Sequence, residues 1–199
     1  MFYTEKRDGF ARLGTLELEE KIQTPAMLEG KTLERFNFGK APYAIKKLFP
    51  EIYERMKPKN EVAILTGLSA MMPREISDAF SELRGTKAIF VVAFATPLNV
   101  STLIYLGADL VDNLMAIAKA YNGFYFFGDL ELSVEKLEEF PCSCQYCKSQ
   151  KTKDLTKEEI YEIVAGHNSE VLRQEVEKCR ILIAEENLRN YVEAKSKLS

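Results

Sequence analysis

"AIFVVAFATPLNVSTLIYLGADLVD", residues 88–112, decides how this chain folds. Ala88 to Phe94 is a continuous apolar run, the pattern of a strand buried on both faces. Thr96 stands where a helix N-cap belongs and Pro97 at the first helical position, so a helix is predicted to about Leu106, with Gly107 as its stop. Asp109-Leu110-Val111 reads as a third, shorter strand running into a helix from Asp112 to Tyr121. Upstream, Val62-Ala63-Ile64-Leu65 has the same buried-strand pattern. Pro73 and a helix with Ile76, Ala79, Phe80 and Leu83 on its apolar face follow, and Gly85 ends that helix. Strands and helices alternating at this spacing form right-handed crossovers on a parallel sheet.

The flanks are less regular. Residues 1–30 read as a hairpin-like start broken by Gly9, Gly14 and Pro25. Residues 41–57 have helical periodicity that Pro50 should kink or split. A small hairpin is predicted over 123–130, a short helix over 133–139, and helices over 156–165 and 167–197.

Hydrophobic residues at 46%, charged residues at 29% and 199 residues in all describe an ordinary globular chain able to bury a real core. A net charge of -3 carries no global signature of nucleic-acid binding, so any such role must rest on local patches. No apolar run approaches the roughly 18 residues of a membrane span, and the first residues lack a signal-peptide core. The expected location is cytoplasmic, where clustered cysteines read as metal ligands before disulfides.

Three of the four cysteines, Cys142, Cys144 and Cys147, lie in "FPCSCQYCKSQ", residues 140–150. Zinc takes four tetrahedral ligands from thiolate and imidazole, so this loop needs one more. The candidates are His167, the single histidine, and Cys179. On one helix they stand about 18 Å apart and cannot serve the same ion. His167, expected at an exposed helix start, is the better placed; Cys179 sits among Val176, Leu182 and Ile183, as a buried filler would. With all four positions taken by protein, the expected cofactor is a structural zinc. The alternative is a reduced thiol cluster without metal.

With these segments in hand, the chain resembles the archaeal tRNA-guanine transglycosylases. "LGADLVD", "PCSCQYC" and "GHNSEVL" are similar to that branch, as is "GFARLGTLELEEKIQTPAML" near the N-terminus. "ATPLNVSTLIYLGADLVD" is most similar to the transglycosylase-like N-terminal region of archaeosine synthases. The resemblance covers roughly residues 8–28 and 88–185. It implies a (β/α) barrel handling a deazaguanine base in tRNA, with Asp112 in the place of the nucleophile that attacks the ribose. A carboxylate at the C-terminal end of a barrel strand is well placed for covalent glycosyl chemistry. The alternative is that Asp112 only caps the helix that follows.

The pattern is incomplete. No Asp-Ser-Gly segment supplies the family's acid/base aspartate, Thr66-Gly67-Leu68-Ser69 being the nearest echo, and Glu75, Asp78 and Asp109 are the only nearby carboxylates on sequence grounds. A full barrel takes about 250 residues. The expected architecture is therefore a shortened transglycosylase-like (β/α) domain over 1–140 with a zinc-binding helical subdomain over 141–199. The expected role is a tRNA-binding or partner-binding subunit rather than a complete base-exchange enzyme. An active pentosyltransferase using Asp112 is the rival. Two lysine clusters are candidates for RNA contact: Lys46, Lys47, Arg55, Lys57 and Lys59, and Lys148, Lys151, Lys153 and Lys157. A solvated charged face explains them equally well. A sheet too short to close calls for a cover, either a second copy or another tRNA-modification subunit.

Overall fold

The computed structural model describes residues 1–18, 20–29, 61–85, 87–148 and 150–197. The helix expected over 41–57 and its basic cluster lie outside these residues. At the N-terminus, β1 (Phe2–Asp8), β2 (Ala11–Glu17) and β3 (Lys21–Thr24) form an antiparallel meander in that order. The β1–β2 register shifts between Thr4 and Lys6, opposite Gly14. A Cβ on Gly14 would overlap the Tyr3 carbonyl, so glycine lets the bulged strands approach.

β4 (Ala26–Leu28) leaves the meander and joins a parallel sheet with β5 (Val62–Leu65), β6 (Ala88–Val91) and β7 (Leu110–Asp112), in the order β4-β7-β6-β5. All four residues of β6 are buried, as the continuous apolar run predicts for a central strand. The connecting helices are α1 (Pro73–Leu83), α2 (Val100–Leu106) and α3 (Leu114–Tyr121). The fold is mixed α/β with a parallel sheet, and the described strands leave that sheet open, with β4 and β5 at its margins.

α2 starts three residues later than Thr96-Pro97 predicts. Asn99 is its N-cap, and the Asn99 side chain folds back to accept from Thr96 N–H at 2.8 Å and donate to the Phe94 carbonyl at 3.0 Å. Residues 96–99 are thereby held as a turn and not as a first helical turn. The hairpin after α3 is longer than predicted, β8 (Phe124–Phe127) against β9 (Leu130–Ser133), and the helix expected over 133–139 is a single 3-10 turn at Val134–Lys136.

The largest revision concerns the C-terminal helices. One helix, α4 (Lys157–Ala184), runs through the break expected before residue 167. It begins at a reciprocal cap: Thr156 Oγ1 accepts from Glu159 N–H, and the Glu159 carboxylate accepts from Thr156 N–H. Gly166 does not interrupt it. A Cβ there would overlap the Tyr146 ring, so the glycine makes room for the cysteine loop. The chain breaks instead after Ala184, before α5 (Leu188–Ser196). The meander clamps that break: Lys6 Nζ donates to the Ala184 carbonyl at 2.5 Å, and Asp8 accepts from Leu188 N–H at 2.7 Å.

The C-terminal half of α4 places Leu172, Val176, Cys179 and Ile183 in the main core with Ile89, Val91 and Val111. Its N-terminal half lends Val164 to a separate small core with Tyr125, Phe140 and Cys147. Cys179 is fully buried in the main core, the filler its neighbours predicted.

Candidate metal centre and strand-end carboxylate

The cysteine loop closes on itself before it meets the helix. Phe140 N–H donates to the Gln150 carbonyl at 3.1 Å, which draws the two ends of the loop together. Inside it, Cys144 N–H points at Cys142 Sγ (3.3 Å) and Cys147 N–H at Cys144 Sγ (3.5 Å). His167 stands on the third turn of α4, 3% exposed, with Nδ1 3.5 Å from Cys144 Sγ. The three sulfurs and one imidazole nitrogen all lie within 4.8 Å of one another, so these four residues could hold a metal ion.

The imidazole is set for ligation. Its Nε2 lies 2.8 Å from the Phe126 carbonyl. A carbonyl only accepts, so Nε2 carries the hydrogen and Nδ1 turns its lone pair to the sulfurs, the outer-shell arrangement of metal-bound histidines. Burial lowers the His167 pKa and keeps the ring neutral. Tyr125 stacks on it at 4.0 Å between centroids, with its hydroxyl 3.5 Å from Cys147 Sγ. Burial pushes the Cys147 thiol up to about 12, and the neighbouring sulfurs add to the rise. Burial also acts to raise Cys144, but N–H groups of Cys147 and Tyr146 outweigh it and hold that thiol below its ordinary value. Three sulfurs this close repel one another when ionised, and a bound cation removes the conflict.

Two residues that the sequence reading did not single out complete the centre. Asn168, fully buried, accepts from Phe126 N–H at 2.9 Å and donates to the Phe124 carbonyl at 2.9 Å. It fixes β8 on α4 beside the histidine, as Tyr125 does from the other side. Asn168 lies within "GHNSEVL", but nothing in that string says its amide bonds to a strand 42 residues away.

Asp112 ends β7, paired with Leu28 at the C-terminal margin of the sheet. It is fully buried. Its Oδ2 accepts from Ala93 N–H at 2.9 Å and its Oδ1 from Leu114 N–H at 3.0 Å. The first contact depends on Ala93 adopting φ 53°, a left-handed conformation that non-glycine residues seldom take. Of the other carboxylates considered, Asp109 sits at the opposite end of β7 on Arg12 and Glu75 accepts from Met72 N–H; neither bonds to Asp112. Glu29 was not anticipated: one residue beyond Leu28, it accepts from Asn113 Nδ2 at 3.3 Å and brings a carboxylate to this end of the sheet. The β6–α2 loop here is also pinned by Lys195, whose Nζ reaches the Pro97 carbonyl (2.6 Å), Glu175 (2.9 Å) and Asp129 (2.6 Å).

Burial raises the Asp112 carboxyl to about 7 against the pull of its two N–H donors. The folded form therefore holds this proton more tightly than the unfolded chain. Its contribution to stability is full below about pH 4 and is lost as the pH climbs through about 7. Asp112→Asn is expected to lack this part of the slope in urea midpoints between pH 4 and 7. A variant as pH-sensitive as the native protein would refute the assignment.

Of the lysines proposed for RNA contact, Lys151, Lys153 and Lys157 line one cleft. Lys148 is not among its lining; it sits in the cysteine loop with φ 45°, donating its N–H to the Cys144 carbonyl.

Residues 56–198 match the family model described as queuine tRNA-ribosyltransferase. The chain belongs to that family. It is 35% identical over 98% of its length to an archaeosine synthase from Haloferax volcanii, covering 40% of that protein. An archaeosine synthase subunit alpha from Methanosarcina acetivorans is 31% identical over 56% of the chain and 18% of its own length. A tRNA-guanine(15) transglycosylase from Korarchaeum cryptofilum is 31% identical over 59% of the chain and 20% of its own length. The chain thus spans less than half of each of these relatives. No helix among the described residues is long and apolar enough to cross a membrane.

Proposed function

We propose that this chain is a tRNA-binding module of archaeosine modification, an arc of a (β/α) barrel stapled by one structural zinc and working beside a separate catalytic subunit or a second copy. The role in tRNA archaeosine modification is supported by family membership and by the names of the relatives. The observation that carries the module reading is the state of Asp112: fully buried, both oxygens on backbone N–H groups, and no carboxylate among the described residues bonded to it. A nucleophile needs access to the ribose, and base exchange needs an acid/base partner within reach. Zinc is supported by the donor set, three thiols and one neutral imidazole with no position left for water.

A second reading, pentosyl transfer by Asp112, is favoured by its place at the C-terminal end of a parallel strand with a carboxyl near neutrality. Incubation of the purified protein with tRNA and radiolabelled guanine or deazaguanine separates the two. The expected result is no incorporation by the chain alone, with incorporation restored by cell extract. Robust incorporation by the chain alone, lost in Asp112→Ala, would establish the enzyme instead.

A further inference from the structure

A cavity of about 1150 Å³ opens beside the stem of the cysteine loop. It exceeds the roughly 300–1,000 Å³ of small-molecule pockets and suits a polymer segment better than a metabolite. Its helical side carries Tyr121, at the end of α3, and Tyr161, on the second turn of α4, with rings 5.4 Å apart and tilted by 44°. Tyr121 is 41% exposed, so an aromatic face is open to a ligand. Lys157 Nζ stands 5.5 Å from the Tyr161 ring centre. The other side is a two-stranded ribbon. The backbones of Glu139 and Lys151 pair in an antiparallel β-bridge, and Thr152 N–H donates to the Glu138 carbonyl at 3.0 Å. Lys151 and Lys153 have no ion-pair partner among the described residues. Glu135, Glu138 and Glu139 also line the cleft.

These groups sort by what they recognise. Cations without partners meet phosphates, a half-exposed tyrosine ring meets a base face, and carboxylates accept from exocyclic amines. A globally acidic chain does not bind nucleic acid by charge alone, so a cleft combining all three is selective for a nucleotide rather than for any polyanion. We propose that this cleft holds a single-stranded RNA segment and prefers bases that carry an exocyclic amine, cytosine over uracil. The proposal rests on the reading that the chain handles tRNA, and it adds where an unpaired stretch is gripped and which bases are favoured. It also couples binding to the metal centre. The pairing of Phe140 with Gln150 that closes the cysteine loop continues, two residues on, into the ribbon that forms the cleft wall.

The test is fluorescence anisotropy of the full chain with labelled cytidine and uridine nonamers, with a full tRNA transcript measured in parallel. The cytidine nonamer is expected to bind several-fold more tightly. Tyr161→Ala should weaken it about ten- to hundredfold, while Tyr161→Phe, which keeps the ring, retains binding. Lys151→Ala with Lys153→Ala should flatten the slope of log affinity against log salt by about 1.4. Glu138→Gln with Glu139→Gln should erase the preference for cytosine, and chelation should abolish binding of both nonamers. Equal binding of the two nonamers, or none, overturns the proposal. So does displacement by polyglutamate as effective as by RNA, which would mark the cleft as a protein-docking surface. If tRNA binds and none of these variants alters it, the cleft assignment fails while the tRNA-binding reading stands; if tRNA does not bind at all, that reading fails with it.

Discussion

Cys144→Ala is expected to abolish binding of the proposed zinc and to melt the cysteine-loop core ahead of the parallel sheet. Structural zinc sites contribute about 10–16 kcal/mol of apparent binding free energy in isolated fingers at neutral pH, and losing one of four ligands removes most of it. Here the centre ties residues 142–147 to α4, and the small core of Tyr125, Phe140, Val164 and Cys147 assembles around it. That core has little apolar surface of its own, whereas the sheet is buried against α2 and the C-terminal half of α4. Elemental analysis of protein purified without added metal should find about one zinc per native chain and almost none in the variant. The melting temperature should fall by about 10 °C or more for a loss on the order of 5 kcal/mol. Hydrogen exchange should separate the two regions: amides of β8 lose protection while those of β6 keep it. A metal-free native protein with the same melting curve as the metal-loaded one would overturn the staple.

Arg12→Met is expected to cost about 3–5 kcal/mol, the usual penalty for stranding one charge of a buried pair. Arg12 is 4% exposed and Asp109 fully buried. The guanidinium grips the carboxylate with two bonds, Nε to Oδ1 at 2.8 Å and Nη2 to Oδ2 at 2.6 Å, and Nη2 also reaches the Lys87 carbonyl. The pair is the polar rivet between the N-terminal meander and the start of β7. Burial raises the Asp109 pKa, opposed by Arg12 and by the Ile89 N–H that donates to Oδ2. Without the arginine, the carboxyl must take up a proton or remain charged in apolar surroundings. Asp109→Asn should therefore destabilise the native protein but be neutral or stabilising on the Arg12→Met background. Denaturant titration of the four proteins measures this directly. Additive single effects would mean that the two groups do not depend on each other.

Local chemistry carried the reading of the parallel sheet and of the cluster of three cysteines and one histidine. Buried-strand runs such as Ala88–Phe94 and stops such as Gly107 act over a few residues, so they are visible in one dimension. The cysteine spacing places three sulfurs on one loop, and a single histidine leaves little choice for the fourth ligand. The extent of α4 was a different matter. Gly166 looks like a break until the Tyr146 ring is seen against it, because that contact joins residues 20 apart in the chain. The start of α2 was misread for a related reason: Asn99 folds back on Thr96 and Phe94, and its side-chain bonds outweigh the preference of Thr-Pro for opening a helix.

The identity of Asp112 was legible, but its state was not. An aspartate at a strand end is a sequence fact; that Ala93 turns its N–H onto it, and that packing excludes water from it, follow only once β6 and β7 lie side by side. The same holds for Arg12 and Asp109, 97 residues apart. Side-chain type and local spacing decide which elements form and which atoms can ligate. Burial, pairing of charges and the protonation they impose depend on long-range packing, and that packing exists only in the folded chain.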